Sequence, residues 1–187
     1  MEFWRDSWNR AISTLRNGGF SGIIVVDASG GAQNPKGPKL YGHDMLNADP
    51  FYNLLFSIHT WNDWAPNGPA GANYFRIVQE FQEFKNLKLP IVIGEFAASH
   101  PANVNGGCTT LYFDVASIMR ECLKHSFGYL GWSWAGNTSS GCGSTADLDI
   151  VANVNWNTHT SLTPWGYELI NALGIGIRDT SKLATIF

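Results

Sequence analysis

Four apolar runs, each separated from the next by a helical pattern, constrain the fold of this 187-residue chain most strongly. They are rich in β-branched and aromatic residues, which is typical of buried strands. The runs cover 22–27, 54–59, 90–95 and 128–134. They begin about 30–38 residues apart, the usual length of a βα repeat. Because strands that alternate with helices pair in parallel, the sequence predicts an α/β fold built on a four-stranded parallel sheet.

Apolar residues recur at helical spacing between these runs, which predicts amphipathic helices. The segments with this pattern are 3–16, 72–84 and 109–124. A last helix is predicted to begin at Pro164, with Thr163 as its N-cap. Segment 28–50 is rich in Gly, Pro, Asn and Asp and is predicted to be a loop with at most a short helical turn.

Composition limits the classes of function. The net charge is −3 and no basic cluster occurs, which disfavours nucleic-acid binding. No stretch of about 18 apolar residues exists, so no membrane span is expected. The N-terminus lacks the basic start and apolar block of a signal peptide. No domain boundary is evident, so residues 1–187 are predicted to form one domain.

Aromatic residues are abundant and charged residues are scarce. The chain has eight Trp, 13% aromatic residues and 14% charged residues. Exposed aromatic faces suit flat, uncharged ligands such as sugars, although some of the Trp side chains must belong to the core. The five His are scattered without metal-type spacing, and no metal or cofactor is expected.

Each predicted strand ends in a polar or aromatic side chain. These residues are Asp27, His59, Glu95, and Trp132 or Trp134. The carboxyl ends of parallel strands face one site, so we expect these side chains to converge. Glu95 is the leading candidate for chemistry, because a buried strand has no structural use for a carboxylate at its end. The alternative is a structural acid paired with an Arg or a backbone amide.

These strand ends lie within phrases that together resemble glycoside hydrolase family five. The likeness is strongest to its endo-β-1,4-mannanases, with the cellulases of the same family next. The matching phrases are Ile24 to Ala28 with Gly31-Ala32-Gln33, Asn53 to His59, Ile93-Gly94-Glu95-Phe96, Gly128 to Asn137, Leu148-Asp149, and Leu162 to Gly166. The resemblance covers almost the full chain. It implies a (β/α)8 TIM barrel, of which this chain would supply the second half, strands five to eight.

The resemblance also implies retaining hydrolysis of a β-1,4-glycan, with mannan before cellulose. Glu95 matches the nucleophile of the family and His59 its sixth-strand histidine. Trp132, or alternatively Trp134, matches the aromatic platform under the sugar, and Asn137 ends the same segment and is assigned to substrate binding. Trp61 stands where the family has a Tyr that hydrogen-bonds the nucleophile, and an indole N–H can also donate, although with different geometry.

The family's acid/base is a Glu in an Asn-Glu dipeptide that ends the fourth strand. This chain starts at about that point, and Glu2 is only a weak candidate for the role. The chain is therefore expected to be a truncated catalytic domain that is weakly active or inactive alone. Location outside the cell is expected from the resemblance. The alternatives are a non-catalytic carbohydrate-binding or structural module, and an unrelated open α/β domain.

Three cysteines are present, without metal-type spacing. Cys108 and Cys142 lie in loops that should emerge on the same face of the sheet, so they are predicted to form a disulfide, with Cys122 free on an apolar helical stripe. The open edges of a four-stranded sheet are predicted to favour dimerisation or aggregation. The apolar surface is expected from Ile24, Val26, Phe56, Ile58, Val92 and the Trp132 region.

Overall fold

A computed structural model describes residues 1–66, 74–152 and 161–182, apart from the side chain of Ser139. Its main sheet has the order β1-β2-β3-β6 and is parallel throughout, as predicted. These strands are β1 (Ile24–Asp27), β2 (Leu54–His59), β3 (Ile91–Phe96) and β6 (Gly128–Gly131). Two antiparallel pairs join β4 (Ser99–Val104) to β5 (Gly107–Tyr112) and β7 (Ser139–Ser140) to β8 (Gly143–Ser144).

The described helices are α1 (Glu2–Asn17), α2 (Lys36–Ala48), α3 (Tyr74–Asn86), α4 (Val115–His125), α5 (Pro164–Asn171) and α6 (Ile177–Thr180). Short 3-10 helices cover Asn62–Trp64 and Ala146–Leu148. The predicted cap of α5 is confirmed, since the Thr163 side chain accepts a hydrogen bond from the Gly166 amide. Among the helices in these ranges, none has both the length and the apolar character to cross a membrane.

The prediction of a loop over 28–50 is wrong, because α2 occupies most of that segment. Pro38 lies in its first turn, where a proline is tolerated. Gly42 packs so closely on Leu89 that a Cβ there would lie 2.7 Å from a methyl carbon. Met45 and Leu46 anchor the helix in the core. Gly42 therefore reflects close packing of a helix, whereas Gly30 and Gly31 have positive φ in the turn that precedes it.

The predicted helix over 109–124 begins only at Val115. Asp114 is its cap and accepts a hydrogen bond from the Ser117 amide. The residues before it form β5, which returns along β4 through a turn with positive φ at Asn105 and Gly106. Leu111 falls within the segment predicted to be helical, but it is fully buried in β5, so an apolar residue at helical spacing does not by itself distinguish a helix from a strand.

The fourth parallel strand ends at Gly131, three residues earlier than predicted. The chain from Trp132 onward leaves the sheet and pairs with the segment that starts at Leu148. Ser133 donates its amide to the Leu148 carbonyl at 2.9 Å and accepts from the Ile150 amide at 2.9 Å. The Trp132 side chain therefore belongs to a loop at the edge of the sheet.

The prediction for the apolar residues of the open sheet face was mostly wrong. Helices cover the face that carries Ile24, Val26, Phe56 and Ile58, and all four are buried. Val92 is also buried, at 8% exposure. Side chains alternate between the two faces of a strand, so the open face carries the intervening residues. Its exposed large apolar members are Val25 on β1, 49% exposed, and Leu130 on β6, 60% exposed.

The predicted disulfide is confirmed. Cys108 on β5 and Cys142 between β7 and β8 are bonded, with their Cα atoms 5.2 Å apart. Cys122 is free and lies fully buried in α4, where burial raises the pKa of its thiol.

A buried ion pair connects the segments that precede β1 and β2. The Arg16 guanidinium makes two contacts with the Asp49 carboxylate, at 2.7 and 3.0 Å, and both side chains are almost fully buried. Arg16 also donates to the carbonyls of Phe20 and Gly22, while the Asn53 amide donates to Asp49. Both charges are thus paired and hydrogen-bonded, the condition under which buried ions are tolerated.

Replacing Asp49 with Asn should flatten the acid limb of the stability profile. The guanidinium lowers the pKa of Asp49, so its carboxyl binds fewer protons in the folded chain than in the unfolded one. This contribution is present above the ordinary Asp pKa of about 3.9 and is lost as the pH falls through the lower folded value. Melting temperatures of the unchanged chain should fall more steeply below about pH 4 than those of Asp49→Asn. Exposed Asp147→Asn is the control, and equal slopes for all three would contradict the assignment.

Candidate active site

Strand β3 contains one more residue than the segments it pairs with, and the extra residue lies where the polar side chains meet. Ile93 pairs with Ile58, and Glu95 pairs with His59, the next residue of β2. The pairing with β6 shifts over the same part of β3. Such a β-bulge changes the direction in which the following side chains point. It brings Glu95 opposite His59.

Gly94 is the residue that permits this bulge. A Cβ at this position would lie 2.2 Å from the Ser57 hydroxyl oxygen and 3.2 Å from atoms of the His59 ring. Neither neighbour leaves space for a methyl group. The sequence carries no local signal for this role of Gly94, because close backbone approach depends on tertiary neighbours.

Two side chains hold one oxygen of the Glu95 carboxylate. The Trp61 indole Nε1–H donates to Oε2 at 2.9 Å, and His59 Nδ1 lies 3.2 Å from the same atom. No hydrogen bond or ion pair of Oε1 is found in the part of the chain that the structure describes. The Glu95 side chain is 24% exposed. The partners are therefore an indole and an imidazole, and Oε1 remains available to a ligand.

His59 lies between two carboxylates on neighbouring strands. Its Nδ1 faces Glu95, and its Nε2 lies 3.5 Å from Asp27 Oδ1. The backbone amide of His59 donates to the Ala32 carbonyl at 2.9 Å. The Trp4 indole in turn donates to the Asp27 carbonyl, which ties α1 to the end of β1. These contacts fix the orientation of the imidazole that holds Glu95.

Trp61 is held in place by other rings. Phe113 meets its indole edge-to-face, with ring centroids 5.8 Å apart, and the His100 ring lies 5.5 Å away. The sequence predicted that the Trp61 indole could donate a hydrogen bond to Glu95, and the distance of 2.9 Å from Nε1 to Oε2 agrees with it. The indole reaches the carboxylate from the loop that follows β2.

A cleft of about 270 Å³ opens above these groups. Its lining residues are Gln33, Trp61, Asn62, Glu95, His100, Trp132 and Leu148. Trp132 is 40% exposed, and its carbonyl accepts a hydrogen bond from the Trp165 indole at 3.0 Å. The peptide bond between Trp132 and Ser133 is cis. The cleft thus combines one carboxylate, two indoles and neutral polar groups, a composition suited to a polyhydroxylated ligand.

Two predicted binding residues lie outside the lining of this cleft. Trp134 is 45% exposed. The Asn137 side-chain amide donates to Ser133 Oγ at 2.8 Å and to Asp149 Oδ1 at 2.6 Å. The side-chain nitrogen of Asn137 therefore hydrogen-bonds within the loop that carries Trp132. A role of Trp134 and Asn137 in substrate binding stays a prediction.

The weak acid/base candidate also lies outside the cleft. Glu2 is an exposed acid in the first turn of α1, where the helix dipole favours a negative charge. It is not among the residues that line the cleft. Within the described ranges, no group of three or more His, Cys, Asp or Glu side chains could hold a metal ion.

A larger cavity of about 930 Å³ lies at the opposite, amino ends of the strands. It is lined by apolar residues such as Ile23, Leu55 and Phe127. Lys85 and Lys88 also line it, and its lining contains no Asp or Glu. Size alone would favour it as a binding site. The convergence of carboxylate, imidazole and indoles favours the smaller cleft instead.

Replacing Gly94 with Ala should destabilise the chain by roughly 1–3 kcal/mol, the usual cost of overpacking. Denaturant unfolding measures the effect. Gly141→Ala is the control, since nothing lies within 4 Å of a Cβ at that position. The double variant Ser57→Ala with Gly94→Ala should recover part of the loss, because it removes the nearest clashing atom. A Gly94→Ala variant as stable as the control would contradict the packing described.

Comparison with known proteins agrees with the resemblance seen in the sequence. The family model for cellulase, glycosyl hydrolase family 5, matches residues 1–138. The chain is 39% identical over 98% of its length to a mannan endo-1,4-beta-mannosidase of Cellvibrio japonicus, and covers 38% of that protein. It is 30% identical to one from Salipaludibacillus agaradhaerens, again over 98% of its length, and covers 53% of it.

The solved structures that it resembles include beta-mannanases. The mannohexaose complex of the Thermomonospora fusca enzyme superimposes with a TM-score of 0.75 at 30% identity, over 96% of this chain and 51% of that one. The mannanase catalytic domain of Streptomyces sp. SirexAA-E gives 0.74 at 29% identity, over 96% and 50%. The chain thus spans about half the length of these proteins. Since the family model matches well over half of its residues, the chain belongs to glycosyl hydrolase family 5.

Proposed function

We propose that this chain carries the nucleophile side of a retaining endo-β-1,4-glycanase site that acts on β-mannan. The observation that supports it best is the Glu95 carboxylate at the end of β3. Its Oε2 is held by Trp61 and His59, while Oε1 is available in a cleft beside Trp132. A fixed carboxylate next to an aromatic surface is what attack on a bound sugar requires.

In the proposed reaction, Glu95 Oε1 attacks the anomeric carbon and the bond to the leaving sugar breaks. The covalent glycosyl-enzyme is then hydrolysed by water, which restores the original anomeric configuration. Trp61 and His59 hold the carboxylate rotamer throughout both steps. Trp132 supplies an indole face for the sugar ring at the cleavage point.

Mannan is the favoured substrate because the relatives named above are mannan endo-1,4-beta-mannosidases and beta-mannanases. A relative at 32% identity, from Caldicellulosiruptor saccharolyticus, is described as a beta-mannanase/endoglucanase A, so cellulose remains the second candidate. Stacking on an indole suits either sugar. The choice between them therefore rests on the relatives.

Retaining hydrolysis also needs a second carboxyl group about 5–5.5 Å from the first, which protonates the leaving oxygen. Among the described residues that line the cleft, Glu95 is the one carboxylate, and Glu2 lies outside it. We infer that the acid/base is a carboxylic acid outside these lining residues, and that the other half of a (β/α)8 barrel supplies it. Turnover by this chain alone should then depend on a leaving group that departs without protonation.

Replacing Glu95 with Ala should abolish turnover of 2,4-dinitrophenyl β-mannotrioside, an activated substrate that bypasses the general acid. The unchanged chain should release dinitrophenolate with retention of configuration, as followed by absorbance and by NMR of the sugar. Azide should restore the Glu95→Ala variant and yield the α-glycosyl azide, because the small anion occupies the place of the carboxylate. The matched control is Asp147→Asn, because Asp147 is an exposed acid that does not line the cleft.

Two results would count against the proposal. Retention of more than a few per cent of the rate by Glu95→Ala would remove this residue from the mechanism. Mannohexaose binding without any turnover of the activated substrate would favour the alternative, a non-catalytic carbohydrate-binding module.

The open edges of the sheet support a second part of the proposal, that the chain is half of a barrel and self-associates. In the described sheet β1 and β6 are the outer strands, and each has one unpaired edge. Val25 and Leu130 are exposed on the face that helices do not cover. Exposed edges and apolar faces of this kind pair readily with another chain.

Light scattering after gel filtration should therefore show dimers or larger species. The double change Val25→Glu with Leu130→Lys should shift the chain toward monomer, because it places charges on the uncovered face. Leu173→Lys is the matched control, since Leu173 is equally apolar and 94% exposed but lies beyond α5. A monomeric unchanged chain with a sharp, cooperative melt would contradict this part of the proposal.

We also propose that the chain works outside the cell. A β-mannan substrate is an extracellular polymer, and the Cys108–Cys142 disulfide fits an oxidising compartment.

A further inference from the structure

The β4–β5 hairpin follows β3, the strand that carries Glu95, and borders the cleft through His100. It begins three residues after Phe96 and ends before α4. Its base is closed by a hydrogen bond from the Phe113 amide to the Ala98 carbonyl at 3.0 Å. His100 on β4 lines the cleft and pairs in register with the buried Leu111 on β5. The hairpin therefore holds the His100 ring beside Glu95.

We propose that this hairpin forms one wall of a sugar subsite next to Glu95, in which His100 hydrogen-bonds a hydroxyl group of the glycan. We also propose that the Cys108–Cys142 disulfide holds this wall at a fixed distance from the wall that carries Trp132. This inference rests on the proposed function, because it names a subsite of the same cleft.

Unpaired polar atoms support the subsite. His100 Nδ1 is buried and has no hydrogen-bond partner among the described residues, and the same holds for Gln33 Oε1 and Asn62 Oδ1. All three residues line the cleft that contains Glu95. Buried polar groups are nearly always paired in folded proteins, so three unpaired groups around one cleft indicate that something else pairs with them.

The chemistry of these groups favours a neutral polyhydroxylated ligand over an ion. Burial lowers the pKa of His100, so its ring is neutral near pH 7, with one donor and one acceptor nitrogen. Gln33 and Asn62 carry neutral amides, each with a donor and an acceptor. A sugar hydroxyl also donates and accepts, and can therefore satisfy either kind of atom.

Two connections join the walls of the cleft. The hairpin is bonded through Cys108 to Cys142, which lies in the loop between Trp132 and Leu148. Ser140 of the same loop donates its hydroxyl to the Pro101 carbonyl at 3.5 Å. Since Trp132, Leu148 and the hairpin residue His100 all line the cleft, the disulfide links two segments that border it.

Calorimetric titration of the full chain with mannohexaose tests the subsite. His100→Ala should raise the Kd about 3- to 10-fold, the effect of losing one hydrogen bond. His100→Gln should recover most of the affinity, because its amide can both donate and accept. The double variant Cys108→Ser with Cys142→Ser should also bind more weakly. Thr109→Ala is the control on the same hairpin, since Thr109 is exposed and does not line the cleft.

Kinetics with the activated mannotrioside separate binding from chemistry. His100→Ala should raise KM by a similar factor and change kcat less than about 2-fold, whereas Glu95→Ala should abolish kcat. Circular dichroism melts show whether each variant is folded. If His100→Ala does not fold, the affinity and KM of His100→Gln are compared with those of the unchanged chain instead.

The failure of this inference differs from the failure of the proposed function. Equal mannohexaose affinity of the unchanged chain, His100→Ala and the double cysteine variant would overturn the subsite and leave the role of Glu95 standing. Weaker binding by His100→Ala together with full activity of Glu95→Ala would overturn the nucleophile and leave the subsite standing. No mannohexaose binding and no turnover of the activated mannotrioside by the unchanged chain would overturn both.

Discussion

The site depends on the single extra residue in β3. Without the bulge, Glu95 would not pair with His59, and strict alternation would carry Phe96 out of the core. With it, Phe96 is fully buried between the rings of Tyr129 and Trp165, while Glu95 reaches the cleft. Gly94 makes this possible, because Ser57 and His59 leave no space for a side chain there. One packing constraint thus sets both the end of the core and the direction of the carboxylate.

The two ends of the sheet are stabilised in different ways. At the amino ends, the buried pair of Arg16 and Asp49 joins α1 to the connections before β1 and β2. At the carboxyl ends, the Cys108–Cys142 disulfide joins the loops that border the cleft. Long loops lose much conformational entropy when they are ordered, so a covalent link between them helps to keep a binding surface in place. The buried ion pair of Arg16 and Asp49 therefore lies at the opposite ends of the strands from Glu95, the carboxylate assigned to chemistry.

The sequence predicted those features that local pattern determines. The four parallel strands, the Thr163 cap, the disulfide and the convergence of Asp27, His59 and Glu95 follow from apolar runs, known cap residues and the geometry of parallel sheets. The contact of Trp61 with Glu95 was expected from the family resemblance alone. The misses share a tertiary cause. Gly37 and Gly42 contribute to the loop-like composition of 28–50, but both pack closely against neighbours of α2. Leu111 lies in a segment with helical spacing, although it belongs to a strand.

The open face of the sheet was misassigned for a related reason. Alternation identifies two faces but does not tell which of them helices cover, so Val25 and Leu130 were overlooked in favour of Ile24 and Val26. Likewise, neither the Gly94 bulge nor the position of His100 has a local signature. Both follow from which strands and loops become neighbours in the folded chain.

The central claim is that Glu95 forms a covalent bond to the sugar. Peptide mass spectrometry after incubation with a 2-deoxy-2-fluoro-β-mannosyl fluoride tests it most directly, because the fluorine at position 2 slows hydrolysis of the intermediate and fluoride departs without an acid. A single adduct on the Glu95 carboxylate is predicted, and it should be absent when mannohexaose is present in excess. An adduct on Asp27, Glu2 or any other carboxylate would contradict the account.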